Sequence, residues 1–363
     1  MLKEPNSLEA LEREAVRLLQ DVLARVPPVR VQETYSEPER GGVDFEIVLE
    51  VNGTPHRLIC EVKSNGQPRY VREAIFQLDE FESQRADQWG KPTKVFVAPF
   101  LSEEARAICR DHDVGYLDFE GNAWLAFDGI YIETSGPRRS KPEKRELKSV
   151  FAPKSTQVLH RMLREPGRFW RLADLARAAH VSLGHVSNVK QSLLDREWGY
   201  ADEHGLRLVR PDALLDAWRD AYEPPAGERL SFYTTLHGKE LEHETVIALS
   251  VANDRGDAML SSFSAAKYLS PFGRHPTTFF YADRRAVAAL SERLQLRPVP
   301  DGGNVLIVVP ENRGLFLEKD TPAPDVSVSG AVLTYLDLSA QGERGREAAE
   351  HLRQSVLVWP NSW

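Results

Sequence analysis

The pair Asn52-Gly53 lies between two runs of alternating residues, VDFEIVLEV (43–51) and TPHRLICEVK (54–63). Asn-Gly is the strongest short hairpin signal, because a two-residue type I′ turn needs positive φ at both central positions. With this pair as the loop, Val51 faces Thr54 and cross-strand partners sum to 105. Asp44 then lies directly opposite Glu61, and the two-residue period of a strand puts Lys63 beside Glu61. Val43, Phe45, Ile47, Leu49 and Val51 point the other way, with Leu58, Cys60 and Val62, and form a core face. Pro55 cannot donate to the ladder, so a bulge there would shift the register and make Glu46 a rival to Asp44.

Two carboxylates directly across a sheet repel each other. A divalent cation turns that liability into a site, and Mg²⁺ favours one or two carboxylates with water completing its octahedron. Lys63 would orient a water or neutralise charge growing on a phosphate. Without metal, the repulsion should raise at least one carboxyl pKa. The other reading of the same residues is an exposed hairpin face with ordinary charges.

The surroundings of the hairpin bear on that choice. Residues 7–26 repeat apolar residues at helical spacing, with Asn6 as N-cap and Glu9 completing a capping-box spacing. Three strands follow, then a helix over 70–89, the strand KVFVAPF, the helix SEEARAICRDH and closing strands to about residue 135. This order is a mixed α/β domain. It resembles the PD-(D/E)xK restriction-endonuclease-like superfamily over about residues 7–135. By that resemblance Asp44 and Glu61 are metal ligands for Mg²⁺, Lys63 is the catalytic lysine, and the activity is a metal-dependent phosphodiesterase acting on DNA. Glu14 matches the helical acid of some members, and Gln77 the glutamine of several. Val43 stands where the motif has proline.

The net charge of −8 is uneven. From Arg138 to Arg171 there are 11 Lys and Arg against 3 Asp and Glu, so this stretch carries +8 and the other residues −16. Such a segment is either a confined nucleic-acid contact or a solvated linker. GPRRSKPEKRELKS (136–149) has linker composition. Beyond it, RLADLARAAHVSLGHVSNVKQSLLDREWGYADEHGLRLVRP (171–211) has the form of a winged helix-turn-helix. Leu172, Leu175 and Ala176 line one helix, and Ser182 caps the next, whose buried stripe is Val186, Val189, Leu193 and Leu194. The other face shows His185, Ser187, Asn188 and Lys190, suited to base edges and phosphates of double-stranded DNA. His204-Gly205 turns the wing, with Arg207 beside it. His185 and His204 have no partner spaced for a metal, and Trp170 and Trp198 read as core residues. A helical protein–protein module remains the alternative.

AYEPPAGERL (221–230) marks a second boundary, after which helices alternate with the strands TTFFYAD and NVLIVVP. No nucleophile–base pair, metal cluster or phosphate loop appears there. Taken with the preceding winged helix, MLSSFSAAKYLSPFGRHPTTFFYAD, NVLIVVPENRGLF and VLTYLDLSAQGERGREAAEHL resemble the AbiEi-type antitoxins of type IV toxin–antitoxin systems, over about residues 150–363. The resemblance implies a winged helix that represses its own operon, a C-terminal antitoxin domain and a cognate nucleotidyltransferase-like toxin as partner. A homodimer is an open expectation.

The expected fold is thus an α/β multidomain chain. A nuclease-like domain spans 1–137, a basic linker and winged helix-turn-helix 138–220, and a C-terminal α/β antitoxin-like domain 225–363. Two function classes follow, a DNA-binding regulator or antitoxin and a Mg²⁺-dependent endonuclease steered by the winged helix. No apolar run approaches the ~20 residues of a bilayer span, and the acidic N-terminus does not read as a secretion signal, so the expected location is the cytoplasm. Cys60 and Cys109 match no metal spacing and can make at most one disulfide.

Overall fold

A computed structural model describes residues 8–36, 42–84, 90–136, 141–273 and 275–359, without the side chains of 141–144 and 146. The chain divides into two compact units, residues 1–146 with 194–197, and residues 147–193 with 198–363. Among the described residues no helix is long and apolar enough to cross a membrane.

The first unit runs α1 (Leu8–Leu23), β1 (Val29–Ser36), β2 (Phe45–Val51), β3 (Thr54–Val62), α2 (Pro68–Gln84), β4 (Thr93–Ala98), α3 (Glu103–Asp111), β5 (Gly115–Asp118), β6 (Ala123–Phe127) and β7 (Ile130–Thr134). Asn6, the expected cap of α1, and residues 85–89, the expected end of α2, lie outside the described residues. The seven strands form one sheet in sequence order. Neighbours are antiparallel except β3–β4 and β4–β5, where α2 and α3 make the crossovers that parallel pairing requires.

Helix α1 repeats Leu11, Ala15, Leu19 and Leu23 toward Phe45, Ile47, Leu49, Leu58, Cys60 and Val62 on one face of the sheet. Helices α2 and α3 cover the other face, packing Val71, Leu78, Ala105 and Ile108 on Ile59, Phe96 and Tyr116. Both faces of the β2–β3 hairpin are therefore covered. Val43 packs with Ile59 and Phe81 on the α2 side, so it is not part of the Phe45 face where the alternation put it. It precedes the paired strand and is free of the strand's alternation. Cys60 and Cys109 are buried free thiols.

The second unit begins with α4, whose helix Lys141–Val150 straddles the division, and continues α5 (Pro153–Arg164), α6 (Leu172–Ala178), α7 (Leu183–Asp195), β8 (Gly199–Asp202), β9 (Gly205–Leu208) and α8 (Pro211–Asp220). There follow β10 (Gly227–Tyr233), α9 (Gly238–Arg255), β11 (Ala258–Leu260), α10 (Ser262–Leu269), β12 (Thr278–Ala282), α11 (Arg284–Arg293), β13 (Arg297–Pro298), β14 (Val305–Pro310), β15 (Lys319–Ala323), β16 (Val326–Ser329), α12 (Ala331–Ser339) and α13 (Gly342–Val356). The second large sheet is ordered β13-β10-β14-β12-β11-β16-β15, and β8–β9 is a separate hairpin.

One hydrophobic core joins the helices before residue 220 to those after 260. Leu159, Leu163, Leu175, Val189, Leu214 and Trp218 belong to the same cluster as Val332, Leu336, Ala349 and Leu352. Polar contacts reinforce the joint. Arg353 of α13 pairs with Asp212 (3.0 Å) and Asp216 of α8. Tyr222 and Tyr281 donate to the Asp337 carboxylate at 2.6 and 2.8 Å. Arg161 donates to the Leu317 carbonyl, and Arg164 pairs with Asp320 at 2.8 Å. Two cations of the basic stretch are thus engaged within the fold. The break in composition at 221–230 marks a connection between elements that share a core.

Candidate functional site

In the first unit the site is set by the turn. Asn52 and Gly53 have φ of 52° and 87°, and pairing runs unbroken from Val51↔Thr54 to Phe45↔Cys60. Pro55 pairs with Glu50 without a bulge; the register shift lies between β1 and β2, at Val31/Glu33. The paired register ends at Phe45↔Cys60, one residue short of Asp44, and Asp44 does not continue it. The Asp44 N–H donates to the Cys60 carbonyl (3.1 Å), and the Val62 N–H donates to Asp44 Oδ2 (2.6 Å). One oxygen of Asp44 therefore closes the end of the ladder where a backbone carbonyl would otherwise stand.

Glu61 lies on the face covered by α2 and α3 and is buried. Lys63 Nζ donates to its Oε1 at 2.8 Å. Burial pushes the Glu61 carboxyl up to about 7; the bond from Lys63 opposes the rise, and the charges of Asp44 and Glu73 add to it. Burial also raises the Asp44 carboxyl, against the Val62 N–H and the Lys63 charge. Desolvation thus outweighs the mutual repulsion that the register alone suggested. The backbone is fixed on the far side of Lys63: its N–H donates to the Val97 carbonyl (3.0 Å), and a Cβ on Gly66 would lie 1.7 Å from the Phe100 carbonyl oxygen. Only glycine fits where these two loops meet.

Glu46 is buried and paired with Arg57 (3.5 Å). Glu14 pairs with Arg17 on α1, the helix that covers the opposite face. Gln77 lies on α2, one turn beyond Glu73, and its Oε1 is buried without a hydrogen-bond partner. Among the described residues no three His, Cys, Asp or Glu side chains gather as a metal site. An acid that sequence reasoning passed over is Asp118. It is buried and accepts from Leu101, Glu120 and Asn122 backbone N–H groups and from Asn122 Nδ2 (2.7 Å). All its acceptor capacity goes into holding the loops after β4 and β5.

In the second unit α6 and α7 are joined by a turn at His180, whose φ is 53°. Ser182 precedes α7 and its Oγ accepts from the His185 N–H (3.3 Å), while the His185 ring lies 3.1 Å from the same oxygen. Val186, Val189 and Leu193 are buried; Ser187 and Asn188 are exposed, and His185 and Lys190 are half-buried. After α7 the hairpin pairs Tyr200 with Arg207. Trp170 and Leu206 exchange backbone hydrogen bonds of 2.8 and 2.9 Å, which lays the segment before α6 against the hairpin. Arg207 lies 4.9 Å from the Phe169 ring centroid and 5.8 Å from that of Tyr200. Trp170 and Trp198 are buried.

No curated protein matches this chain. Among solved structures, the apo form of EndoMS is similar over 32% of this chain at 16% identity and a TM-score of 0.23. The match covers 48% of that structure's chain, about half of its length. Residues 207–358 match the sequence model of a family described as a transcriptional regulator, the AbiEi antitoxin of type IV toxin–antitoxin systems.

Proposed function

We propose that this chain is a DNA-binding transcriptional regulator with an antitoxin role in a type IV toxin–antitoxin system, preceded by a nuclease-like unit. The observation that carries the reading is the family match over residues 207–358, which begins in β9 and takes in the elements that share a core with α5–α7. On this reading α5–α7 and the β8–β9 hairpin are a winged helix-turn-helix that reads double-stranded DNA. Ser187 and Asn188 meet base edges, Lys190 and Arg207 meet phosphate, and Ser182 and His185 hold the start of the recognition helix. A homodimer would present two such helices to a two-fold operator. The elements after residue 225 would engage a nucleotidyltransferase-like toxin. Co-expression with a nucleotidyltransferase-like toxin of a type IV system from the same genome should restore growth of the host. Persistent growth arrest, with soluble protein present, would count against the antitoxin role.

A second reading rests on Asp44, Glu61 and Lys63 at the end of the β2–β3 ladder away from the turn, where Asp44 accepts from Val62, Glu61 accepts from Lys63 and the charge of Asp44 acts on Glu61. Each carboxylate has a second oxygen beyond those bound to Val62 and Lys63, a donor set that suits Mg²⁺ with water completing its shell. A bound Mg²⁺ would supply Lewis-acid stabilisation of a phosphate and a more acidic water. Asp44 and Glu61 would hold it, Lys63 would orient the attacking water, and the unit would be a DNA phosphodiesterase. Glu46, already paired with Arg57, is the weaker candidate ligand. Calorimetry with Mn²⁺ should raise the first unit's melting temperature in the wild type and leave Asp44→Asn unmoved. Equal responses in the two proteins would dismiss the site.

A further inference from the structure

We infer that the outer face of the β8–β9 hairpin is a stacking platform for an unpaired DNA base, so that the chain prefers a duplex that carries a single-stranded end. The inference rests on the reading of this segment as a DNA reader and adds the form of DNA it takes.

The platform follows from two registers. Tyr200 pairs with Arg207, and Trp170 bridges Leu206. Alternation then sends Trp170, Leu206 and Leu208 into the core, where all three are buried. Phe169, Arg207 and Tyr200 emerge in a row on the opposite face. The Arg207 guanidinium sits between the two rings, at 4.9 and 5.8 Å from their centroids. Its Nε is buried without a hydrogen-bond partner, and among the described residues no carboxylate pairs with it. Tyr200 keeps 48% of its surface exposed. His204 meets Phe169 edge-on at 5.9 Å. The hairpin's acids stand at its tip, where Asp202 accepts from the His204 N–H (2.8 Å) and Glu203 lies 3.7 Å from the His204 ring.

A row of aromatic, cation, aromatic is poorly matched to an intact duplex. Paired bases present their edges in the grooves, and a groove edge calls for hydrogen-bonding side chains. An unpaired base presents a π face, which stacks on tyrosine and on the plane of a guanidinium. Charge favours the same occupant, because no carboxylate among the described residues pairs with Arg207, and Arg171, which precedes α6 beside this face, is exposed. A strand leaving a duplex would set its first free base on Tyr200 and its phosphate against Arg207.

The test uses the full chain and two labelled DNAs, a blunt duplex and the same duplex with a short unpaired tail containing 2-aminopurine. The wild type should bind the tailed DNA about tenfold more tightly, as expected of one stacked base, and should quench the 2-aminopurine. Tyr200→Ala should lose both the preference and the quench while binding the blunt duplex as before, and Tyr200→Phe should retain both. Equal wild-type affinity for the two DNAs, or a preference that survives in Tyr200→Ala, overturns the inference. Failure to bind the blunt duplex at all overturns the DNA-reader reading itself, and that outcome is read separately from the tail.

Discussion

Replacing Asp337 by alanine should loosen the joint between α8 and the C-terminal sheet. Its carboxylate is buried on α12 and accepts from the Tyr222 hydroxyl at 2.6 Å and the Tyr281 hydroxyl at 2.8 and 2.9 Å. Alanine leaves two buried hydroxyls without an acceptor, each costing about 1–3 kcal/mol. The sum should be about 3 kcal/mol at pH 5, a fall in melting temperature of roughly 6–12 °C for a unit of this size. Burial pushes the Asp337 carboxyl up to about 6, with the tyrosine hydroxyls and the Arg229 charge opposing the rise. Because the folded value is raised, this stabilisation is full below the unfolded value near 4 and is lost as pH rises through about 6. The alanine penalty should therefore shrink by about 1–2 kcal/mol between pH 5 and pH 7. Asp337→Asn, which keeps one acceptor oxygen, should melt close to the wild type at pH 5 and show a flatter pH profile. Calorimetric melts across this pH range are the assay. An alanine variant that melts with the wild type at pH 5 would mean that the Asp337–tyrosine bonds do not stabilise the joint.

The same linkage applies to Glu61, whose folded value of about 7 lies above the ordinary glutamate value. The first unit should lose about 3 kcal/mol as pH rises from about 4.5 through 7, and Glu61→Gln should flatten that slope in thermal melts. A wild-type slope that survives in Glu61→Gln would reassign it to other groups. Deleting residues 225–363 should expose Trp218 and Leu214, which pack in a core shared with α12 and α13, so residues 1–224 should be readily cleaved by protease and bind DNA poorly. A truncated chain as protease-resistant as the full one would show that the shared core is dispensable.

The hairpin was readable because its determinants are local. Asn52-Gly53 sets the turn, and the turn sets the register from Val51↔Thr54 to Phe45↔Cys60. The repeat of Leu11, Ala15, Leu19 and Leu23 likewise identifies α1 without reference to its partner. What alternation could not reveal was that the charged side of β2 is also covered. Glu46 reads as solvent-facing in FEIVLEV, yet it is buried beside Arg57 under α2 and α3. A buried ion pair and an exposed pair of charges look alike along one strand, and the difference lies in helices far along the chain. The boundary near 225 misled for a similar reason. Pro and Gly at 221–230 mark a change of direction, whereas Trp218 finds Val332 and Leu336 more than a hundred residues later. The stretch around Asp337 stood out by resemblance alone, and its two tyrosine partners are separated from it by 115 and 56 residues.

If α7 reads duplex DNA as proposed, a salt titration of binding to the DNA upstream of the chain's own coding region will show it. Lys190→Ala should weaken binding to specific and unrelated duplexes alike and reduce the slope of log affinity against log salt by about one, as loss of one phosphate contact predicts. Asn188→Ala should weaken the specific duplex by about 1–3 kcal/mol and leave the unrelated one unchanged, as loss of a base-edge contact predicts. Wild-type affinity in both variants, or a wild-type protein whose binding does not depend on salt, would mean that α7 is not a DNA-reading helix.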